Sequence, residues 1–390
     1  MFKNISPEIK KTIFLIFTIQ FLSNTISYII FLNNGYYYLE REYYKIDIEN
    51  SIYSYIAFLI FFVLVSFSFF STQRNIRPVE INEKVYSQLI LFLQVSYFFL
   101  NLHYETNIAG HPGRKDMPAV ISFFFVIFNP DILFLIYLFF TKESKLKKLN
   151  IIVYLLSMSI RGWMAGILYV FLYYFITKKY KLRTYFTVLL IIIFLILSLP
   201  FIINAKWYLR SSGTESFINA VFNISDYKNS LMNALEYLIF RFQHISSVIF
   251  ITDHLQSINH EIIKPYWAEG NIQLFFEKIF NINLQNFNNY VVTDLMGIKG
   301  ATWNIHVGIE SWFIMNPFDL FLYLYIFLSI LFTNSLSIVR HSKVMQSFIL
   351  YMIFSRLFVG WNAAYINLII SLLVTILIFF IIKKIKINRL

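Results

Sequence analysis

The sequence predicts an all-α polytopic membrane protein with about ten transmembrane helices, including a short hairpin, and with both ends in the cytoplasm. Of 390 residues, 58% are hydrophobic and only 14% carry a charge, too few to cover a soluble protein of this length. Apolar runs recur along the chain, each close to the roughly 20 residues that a membrane-spanning helix needs. The basic residues concentrate in short segments between these runs.

The apolar runs define the predicted spans in chain order. The first begins near Thr12 and has no small-residue cleavage site, so we expect it to remain as a membrane helix. Pro130 lies inside the fourth run, where we expect a kink. The runs cover residues 12–33, 52–71, 85–104, 117–140, 184–204, 317–338, 344–361 and 363–382.

The positive charges predict the topology. Twenty of the 33 Lys and Arg residues lie in short segments at the ends of the runs, and the positive-inside rule assigns these segments to the cytoplasm. The net charge of +12 therefore does not require nucleic acid as a partner. Residues 150–177 have basic clusters on both sides, so they cannot form one span. They should form a hairpin of two helices, 150–160 and 163–177, with Arg161 and Gly162 near its tip.

The same reasoning divides the chain into three parts. Residues 1–204 form an N-terminal transmembrane bundle, residues 205–316 a large external loop with amphipathic helices, and residues 317–390 the C-terminal transmembrane helices. Shorter external segments are expected at 34–51, at 105–116 and near Trp361. Long loops in compact proteins usually carry function, so the candidate site is sought in the large loop.

Residues 231–250 have apolar side chains at helical spacing, which predicts one amphipathic helix at the outer edge of the membrane. Tyr237, Arg241 and His244 fall on its second face. Two interpretations stay open: Arg241 and His244 bind a ligand, or they extend to lipid headgroups.

A second cluster precedes the span that begins at Pro317. On a helix, Trp303, His306 and Glu310 would share one face. A carboxylate that orients an imidazole could form a general base, or a clamp on hydroxyls or phosphate. The alternative is an interfacial helix with an incidental ion pair.

Four arginines complete the candidates. Arg161 and Arg356 fall within apolar runs, where a cation is costly unless it is paired, so both are expected to line a cavity or to meet a partner. Arg210 and Arg241 lie in the large loop. Guanidinium groups match phosphate oxygens, so the four would suit a diphosphate. His103, Glu105, His111 and Asp116 are irregularly spaced, so we expect no metal or cofactor there.

The layout resembles the Wzy-type O-antigen polymerases, bacterial oligosaccharide repeat-unit polymerases that are related to the O-antigen ligases. The resemblance is carried by about ten spans, a long external loop in the C-terminal half, and residues 157–162, Ser-Met-Ser-Ile-Arg-Gly, within a short hairpin. The family tends to have an Arg in the helical part of the long loop, matched here by Arg241. It also has His or acidic residues before the next span, matched by His306 and Glu310.

The resemblance implies a metal-independent membrane glycosyltransferase in the bacterial inner membrane. A growing glycan on undecaprenyl diphosphate is transferred to a new lipid-linked repeat unit at the periplasmic face, and undecaprenyl diphosphate is released. His306 or Glu310 would be the base and the four arginines would bind the diphosphate, with His244 and Tyr237 in secondary roles. A protein that sets chain length is a further expected partner. Aromatic rings that could stack on sugars are Trp207, Tyr266, Trp267 and Trp303.

Three other functions remain open. An O-antigen ligase would share the donor chemistry and use lipid A core as acceptor. A polysaccharide flippase or other transporter predicts charges along a central path and short loops on both sides. A membrane acyltransferase would use a cytoplasmic His, and the N-terminal half has none at the expected cytoplasmic positions.

Overall fold

The structure is a computed structural model that describes residues 5–39, 42–108, 117–163, 165–178, 182–210, 216–222, 224–269, 284–298 and 305–387. These residues are mainly helical, as predicted. The N-terminal part comprises helices α1 Pro7–Asn34, α2 Ile48–Thr72, α3 Glu83–Tyr104, α4 Ala119–Ile127, α5 Pro130–Phe140, α6 Lys145–Ile160, α7 Ala165–Thr177 and α8 Leu182–Arg210. The remainder comprises α9 Phe217–Phe222, α10 Tyr227–Phe242, α11 Ile245–Asp253, α12 Phe287–Tyr290, α13 Glu310–Met315, α14 Leu320–Ser335, α15 Lys343–Met352 and α16 Asn362–Ile387.

Within the described residues, five helical segments are long and apolar enough to cross a membrane: Pro7–Asn34, Ile48–Thr72, Glu83–Tyr104, Val120–Phe140 and Asn362–Lys383. Shorter apolar helices occur at Gly166–Thr177, Ile193–Ala205 and Leu320–Ser335. Phe14, Phe67 and Phe194 on such helices are exposed, as lipid-facing side chains are. The chain is therefore a multi-pass membrane protein, and the count of ten helices stays a prediction. At Pro130 the helix ends and restarts, with Asn129 capping α5.

The basic segments meet at one end of the bundle. The Lys11 ammonium donates to the Phe175 carbonyl at 2.9 Å, beside the last turn of α7. The backbone N–H of Arg77 donates to the Arg340 carbonyl at 2.7 Å, and the Phe140 ring stacks on His341. These contacts link the start of α1 with the linkers between the later helices. We call this the basic end.

The predicted hairpin is present as α6 and α7, although α6 begins at Lys145 and not at residue 150. Gly162 adopts a left-handed φ of 75°, which an L side chain rarely does. The N–H groups of Gly162 and Trp163 donate to the Ser159 and Met158 carbonyls, a Schellman motif that ends α6. The turn therefore follows from one glycine directly after Arg161.

The predicted single amphipathic helix over 231–250 is wrong. The chain forms α10 and α11, separated at Gln243 and His244, and α11 is buried from Ile245 to Thr252. Thr252 hydrogen-bonds Ser54 of α2, whereas the His244 ring lies 5.8 Å from the Phe58 ring, one turn further along α2. Helix α11 therefore lies within the bundle. A segment of a loop can do so when the surrounding protein provides partners for its polar groups.

A β-hairpin packs against the C-terminal end of α11. Strands β1 Tyr36–Leu39 and β2 Glu42–Lys45 pair antiparallel in the predicted external segment 34–51. Tyr37 Oη donates to Asp253 Oδ2 at 3.1 Å, and the Asn50 amide donates to Asp253 Oδ1 at 2.9 Å. The last residue of α11 is thus fixed at the end of α2 that lies opposite the basic end.

Two glycines allow two backbone segments to cross beside α13. The N–H groups of Gly308 and Ile309 donate to the Val359 and Phe358 carbonyls, both at 3.0 Å. A Cβ on Gly360 would lie 2.7 Å from the Gly308 backbone nitrogen, closer than real Cβ atoms approach. Gly360 also has a φ of 77°. The crossing therefore requires glycine for both space and conformation.

We expect Gly360→Ala to destabilise the fold by about 3 kcal/mol more than Gly297→Ala, since added atoms in a packed site force the backbone apart. Gly297 is a matched control because its φ is 71° but a Cβ there meets no described atom within 4 Å. Unfolding of both variants in detergent, followed by circular dichroism, measures the difference. Equal losses would show that φ alone sets the cost.

Candidate functional site

A buried His–Glu pair lies inside the bundle. His244 Nε2 and Glu310 Oε1 are 2.7 Å apart, and the two side chains are 1% and 0% exposed. When the carboxylate accepts the Nε2 proton, Nδ1 keeps its lone pair, so Glu310 selects the tautomer of His244. His244 Nδ1 and Glu310 Oε2 have no hydrogen-bond partner in the part of the chain that the structure describes. With respect to the described residues, the pair therefore retains one unpaired base atom and one unpaired acceptor atom.

Neighbouring elements hold His244 where α11 begins. Asn24 Oδ1 accepts hydrogen bonds from the backbone N–H groups of His244 and Ile245, both at 2.9 Å. Gln243 Oε1 accepts the N–H of Ser246 at 2.9 Å. These bonds satisfy backbone groups at the start of a buried helix that would otherwise be left unpaired. The Phe358 ring packs edge-on to the imidazole at 5.2 Å.

Glu310 is the first residue of α13, where a carboxylate interacts favourably with the positive end of a helix. Gly308 lies directly against it, and a Cβ at Gly308 would come within 2.7 Å of the Glu310 carboxyl carbon. Gly308 therefore makes room for the carboxylate as well as for the backbone crossing.

The predicted helix that would carry Trp303, His306 and Glu310 on one face is wrong. Residues 305–308 are not helical, and α13 begins only at Glu310. The ring of His306 instead lies 5.6 Å from the Trp361 ring, while Glu310 bonds His244. Trp303 lies outside the described residues. The spacing predicted that Glu310 pairs with His306, whereas its partner in the structure is His244, which lies 66 positions away in the sequence.

Arg161 is in the turn of the α6–α7 hairpin, as predicted, but its guanidinium is bonded within the protein. Its two terminal nitrogens donate to Asp131 Oδ2 and Oδ1 at 2.9 and 2.7 Å, and Nε donates to the Ser157 carbonyl. The Tyr97 ring lies 5.2 Å from the guanidinium carbon. A diphosphate at Arg161 would have to compete with Asp131 for this fork.

Arg356 lies in the π-helical turn Ile353–Phe358 that continues α15. Its Nη1 donates to the Ala364 carbonyl at 2.6 Å, and Nε has no partner among the described residues. Tyr154 interacts electrostatically with both Arg356 and Arg161, so these two cations share a neighbour. The backbones of Arg210 and Arg241 lie in α8 and α10, but their side chains, like that of Trp207, lie outside the described part.

An aromatic pocket of about 250 Å³ lies between the large loop and the start of α14. Trp267, one of the predicted stacking residues, is 58% exposed in it. The Tyr266 ring lies 5.5 Å from the Trp312 ring, and Tyr266 Oη donates to Asp319 Oδ2 at 3.2 Å. Burial raises the pKa of Tyr266, with a further contribution from the Asp319 carboxylate. Tyr266 thus stays a neutral donor. Tyr237 of α10, which was predicted to have a secondary role, is half-buried and is not one of the residues that line this pocket.

A second buried polar cluster joins the large loop to the last helix. Lys264 and Glu269 are each 3% exposed, and Asn362 at the start of α16 is fully buried. Glu269 accepts the backbone N–H of Phe287 at 3.2 Å and interacts with Lys264 and Asn362. Burial raises the pKa of Glu269 to about 7, although these neighbours lower it. The carboxyl group therefore titrates near neutral pH.

Sequence reasoning overlooked Asp131, Asp319 and Glu269. Asp131 could have been found, since it is the one acidic residue within the apolar run 117–140 and a buried Arg needs a partner. Asp319 and Glu269 have no local signal. Their importance comes from side chains that only the folded loop brings next to them.

We expect His244→Ala and Glu310→Ala each to destabilise the protein by roughly 2 to 3 kcal/mol, because each leaves a buried polar partner without its hydrogen bond. The double variant should lose less than the sum, since the second change removes a group that is already unpaired. A double-mutant cycle on unfolding in detergent measures the coupling. Strict additivity would contradict the 2.7 Å contact.

Glu269 gives an expected pH dependence. In the unfolded chain its pKa is near 4.5, so the folded state binds more protons between pH 4.5 and about 7. Its contribution to stability is full below pH 4.5 and is lost as the pH rises through about 7, by up to ~3 kcal/mol. Unfolding at about pH 5 and about pH 8 should show a smaller loss in Glu269→Gln than in wild type. The same slope in both would contradict this assignment.

Comparison with protein-family models, curated proteins and solved structures gives no match to this chain. The function is therefore inferred from the geometry of the buried pair, the aromatic pocket and the layout of the chain.

Proposed function

We propose that this protein is a membrane glycosyltransferase that polymerises oligosaccharide repeat units carried on undecaprenyl diphosphate. The reaction would take place at the periplasmic face of the bacterial inner membrane, the end opposite the basic linkers, as the positive-inside rule implies. A hydroxyl of the incoming repeat unit attacks the anomeric carbon of the growing glycan. The bond from that carbon to the diphosphate oxygen breaks, and undecaprenyl diphosphate leaves.

The His244–Glu310 pair is the observation that carries this proposal. Attack by a sugar hydroxyl requires a group that accepts its proton, and a histidine oriented by a carboxylate is suited to this role. Glu310 holds the Nε2 proton of His244, so Nδ1 is the atom that would accept the proton. This assigns the base to His244 and makes Glu310 the residue that positions it, in place of His306.

The acceptor can reach the His244–Glu310 pair only after a conformational change. Phe58 and Phe358 pack against the imidazole, and both side chains of the pair are buried. The acceptor hydroxyl can reach Nδ1 only if this aromatic cover moves when substrate binds. Exclusion of water by such a cover would also protect the glycosyl donor from hydrolysis.

The leaving diphosphate needs positive charge. In the proposed enzyme Arg356 supplies part of it, since its Nε is not bonded to any described residue. Arg241 and Arg210 remain candidates from the sequence. Arg161 contributes less directly, because Asp131 already occupies its guanidinium fork.

A proton-coupled polysaccharide transporter is the second candidate function. The observation that favours it is the complete burial of the His–Glu pair, since ionisable residues inside a membrane bundle often form proton relays. This function predicts that His244 variants abolish transport driven by a proton gradient in vesicles. The glycosyltransferase predicts product formation in detergent, where no gradient exists.

We expect deletion of the gene to remove long glycan chains from extracted lipopolysaccharide while one capped repeat unit remains. Complementation by His244→Ala or Glu310→Gln should lower polymer formation by about 100-fold or more, the usual range for loss of a general base or its orientation. Complementation by His103→Ala should restore the ladder, since His103 is an exposed histidine in the last turn of α3, whereas His244 is buried.

Immunoblots of membranes control for the abundance of each variant. A full ladder from the deletion strain would overturn the enzyme proposal. Loss of both the ladder and the single capped unit would indicate a ligase or a flippase instead.

A further inference from the structure

The aromatic pocket has two kinds of surface. Trp267 presents an exposed ring, while Tyr266 and Trp312 form half-buried or buried walls. Asn316 and Asp319 add an amide and a carboxylate to the same lining. Flat apolar rings therefore stand next to planar groups that accept and donate hydrogen bonds.

This combination matches one class of ligand. A pyranose ring has an apolar face of C–H bonds and a rim of hydroxyl groups. An exposed indole offers a large rigid surface for the C–H face. Carboxylate and amide oxygens accept hydrogen bonds from hydroxyls, and the amide also donates. The volume of about 250 Å³ provides room for a small part of a glycan, such as a single sugar ring.

The charges of the pocket argue against a phospholipid headgroup. Asp319 is the only acidic residue among its described lining residues, and these include His260 but no Lys or Arg. A phosphate would meet the Asp319 carboxylate with no Lys or Arg side chain in this lining to offset the repulsion. A neutral polyhydroxyl ligand meets no such penalty.

The position of the pocket suits a ligand that is attached to a lipid. Phe318, Leu320 and Phe321 border the start of α14 and are among the most exposed apolar side chains of the protein. Such residues belong in the apolar part of the bilayer, so the pocket opens at the membrane boundary. A sugar close to a polyprenyl anchor would lie at this height.

The pocket and the buried pair are joined by one short helix. Glu310 begins α13, and Trp312 and Met315 of the same helix line the pocket. The ring of Trp312 also packs on Phe287 at 4.9 Å, which fixes the helix against the large loop. A ligand in the pocket would therefore contact the element that positions Glu310.

We propose that the Tyr266–Trp267–Trp312–Asp319 pocket is a saccharide-binding subsite that holds one pyranose ring of a lipid-linked glycan by stacking on Trp267. The identification of the glycan as polymerase substrate rests on the proposed function, but binding of the sugar does not. In this proposal, the large loop recognises the neutral sugar ring of the glycan and not its diphosphate.

Saturation-transfer NMR on the full chain in nanodiscs tests this subsite. Nanodiscs are chosen because sugar-based detergents would compete for the pocket. The probes are methyl glycosides of neutral hexoses and of N-acetylhexosamines, with glycerol 1-phosphate as the anionic probe. We expect signal on the C–H face of at least one glycoside and none from glycerol phosphate.

Trp267→Ala should weaken glycoside binding at least tenfold, whereas Trp267→Phe should keep it within about threefold because a ring is retained. Trp163→Ala is the matched control, since Trp163 is also an exposed Trp but lies at the α6–α7 turn. It should bind like wild type.

The subsite would be overturned by the absence of signal from every glycoside with folded protein, or by equal binding of Trp267→Ala and wild type. Binding of glycerol phosphate in preference to sugars would identify a headgroup site and also overturn it. If the sugars bind at Trp267 while the deletion strain makes normal polymer, the subsite stands and the polymerase proposal fails.

Discussion

The absence of water inside a bilayer governs this structure, because polar groups that enter the bundle must find partners within the protein. Helix α11 meets this demand at its first turn. Asn24 accepts the N–H groups of His244 and Ile245, and Gln243 accepts the N–H of Ser246. At its other end Asp253 is held by Tyr37 and Asn50. A segment of the large loop can therefore lie within the bundle.

The entry of α11 determines the candidate site. It brings His244 next to Phe58, where the imidazole meets Glu310. Glu310 lies two residues after Gly308, at the backbone crossing that requires glycine. The resulting pair is oriented and enclosed. Both proposed functions use these properties, since a general base and a proton relay each need a histidine whose tautomer is fixed.

Charge is distributed differently from the arrangement that the sequence suggested. Arg161 and Asp131 form an ion pair at the hairpin turn. The main role of this arginine is therefore to hold the end of α6 against α5. Breaking such a pair by removing one partner usually costs several kcal/mol, so loss of function in an Arg161 variant would need a stability control. The Tyr266–Trp267–Trp312–Asp319 pocket, by contrast, offers aromatic rings, an amide and a carboxylate, with no Lys or Arg among its described lining residues.

The sequence by itself determined the membrane class, the long spans, the basic end and the α6–α7 hairpin. These features depend on local composition, on charge between spans and on a glycine after Arg161, all of which act over a few residues. It also selected Glu310, His244 and Trp267 as candidates. Only the tertiary structure decided that His244, and not His306, bonds Glu310, that Asp131 pairs with Arg161, and that α11 is buried. These outcomes depend on contacts between residues far apart in the chain. Burial of these contacts removes water as a competing hydrogen-bond partner, so the free-energy difference between one side-chain partner and another becomes large.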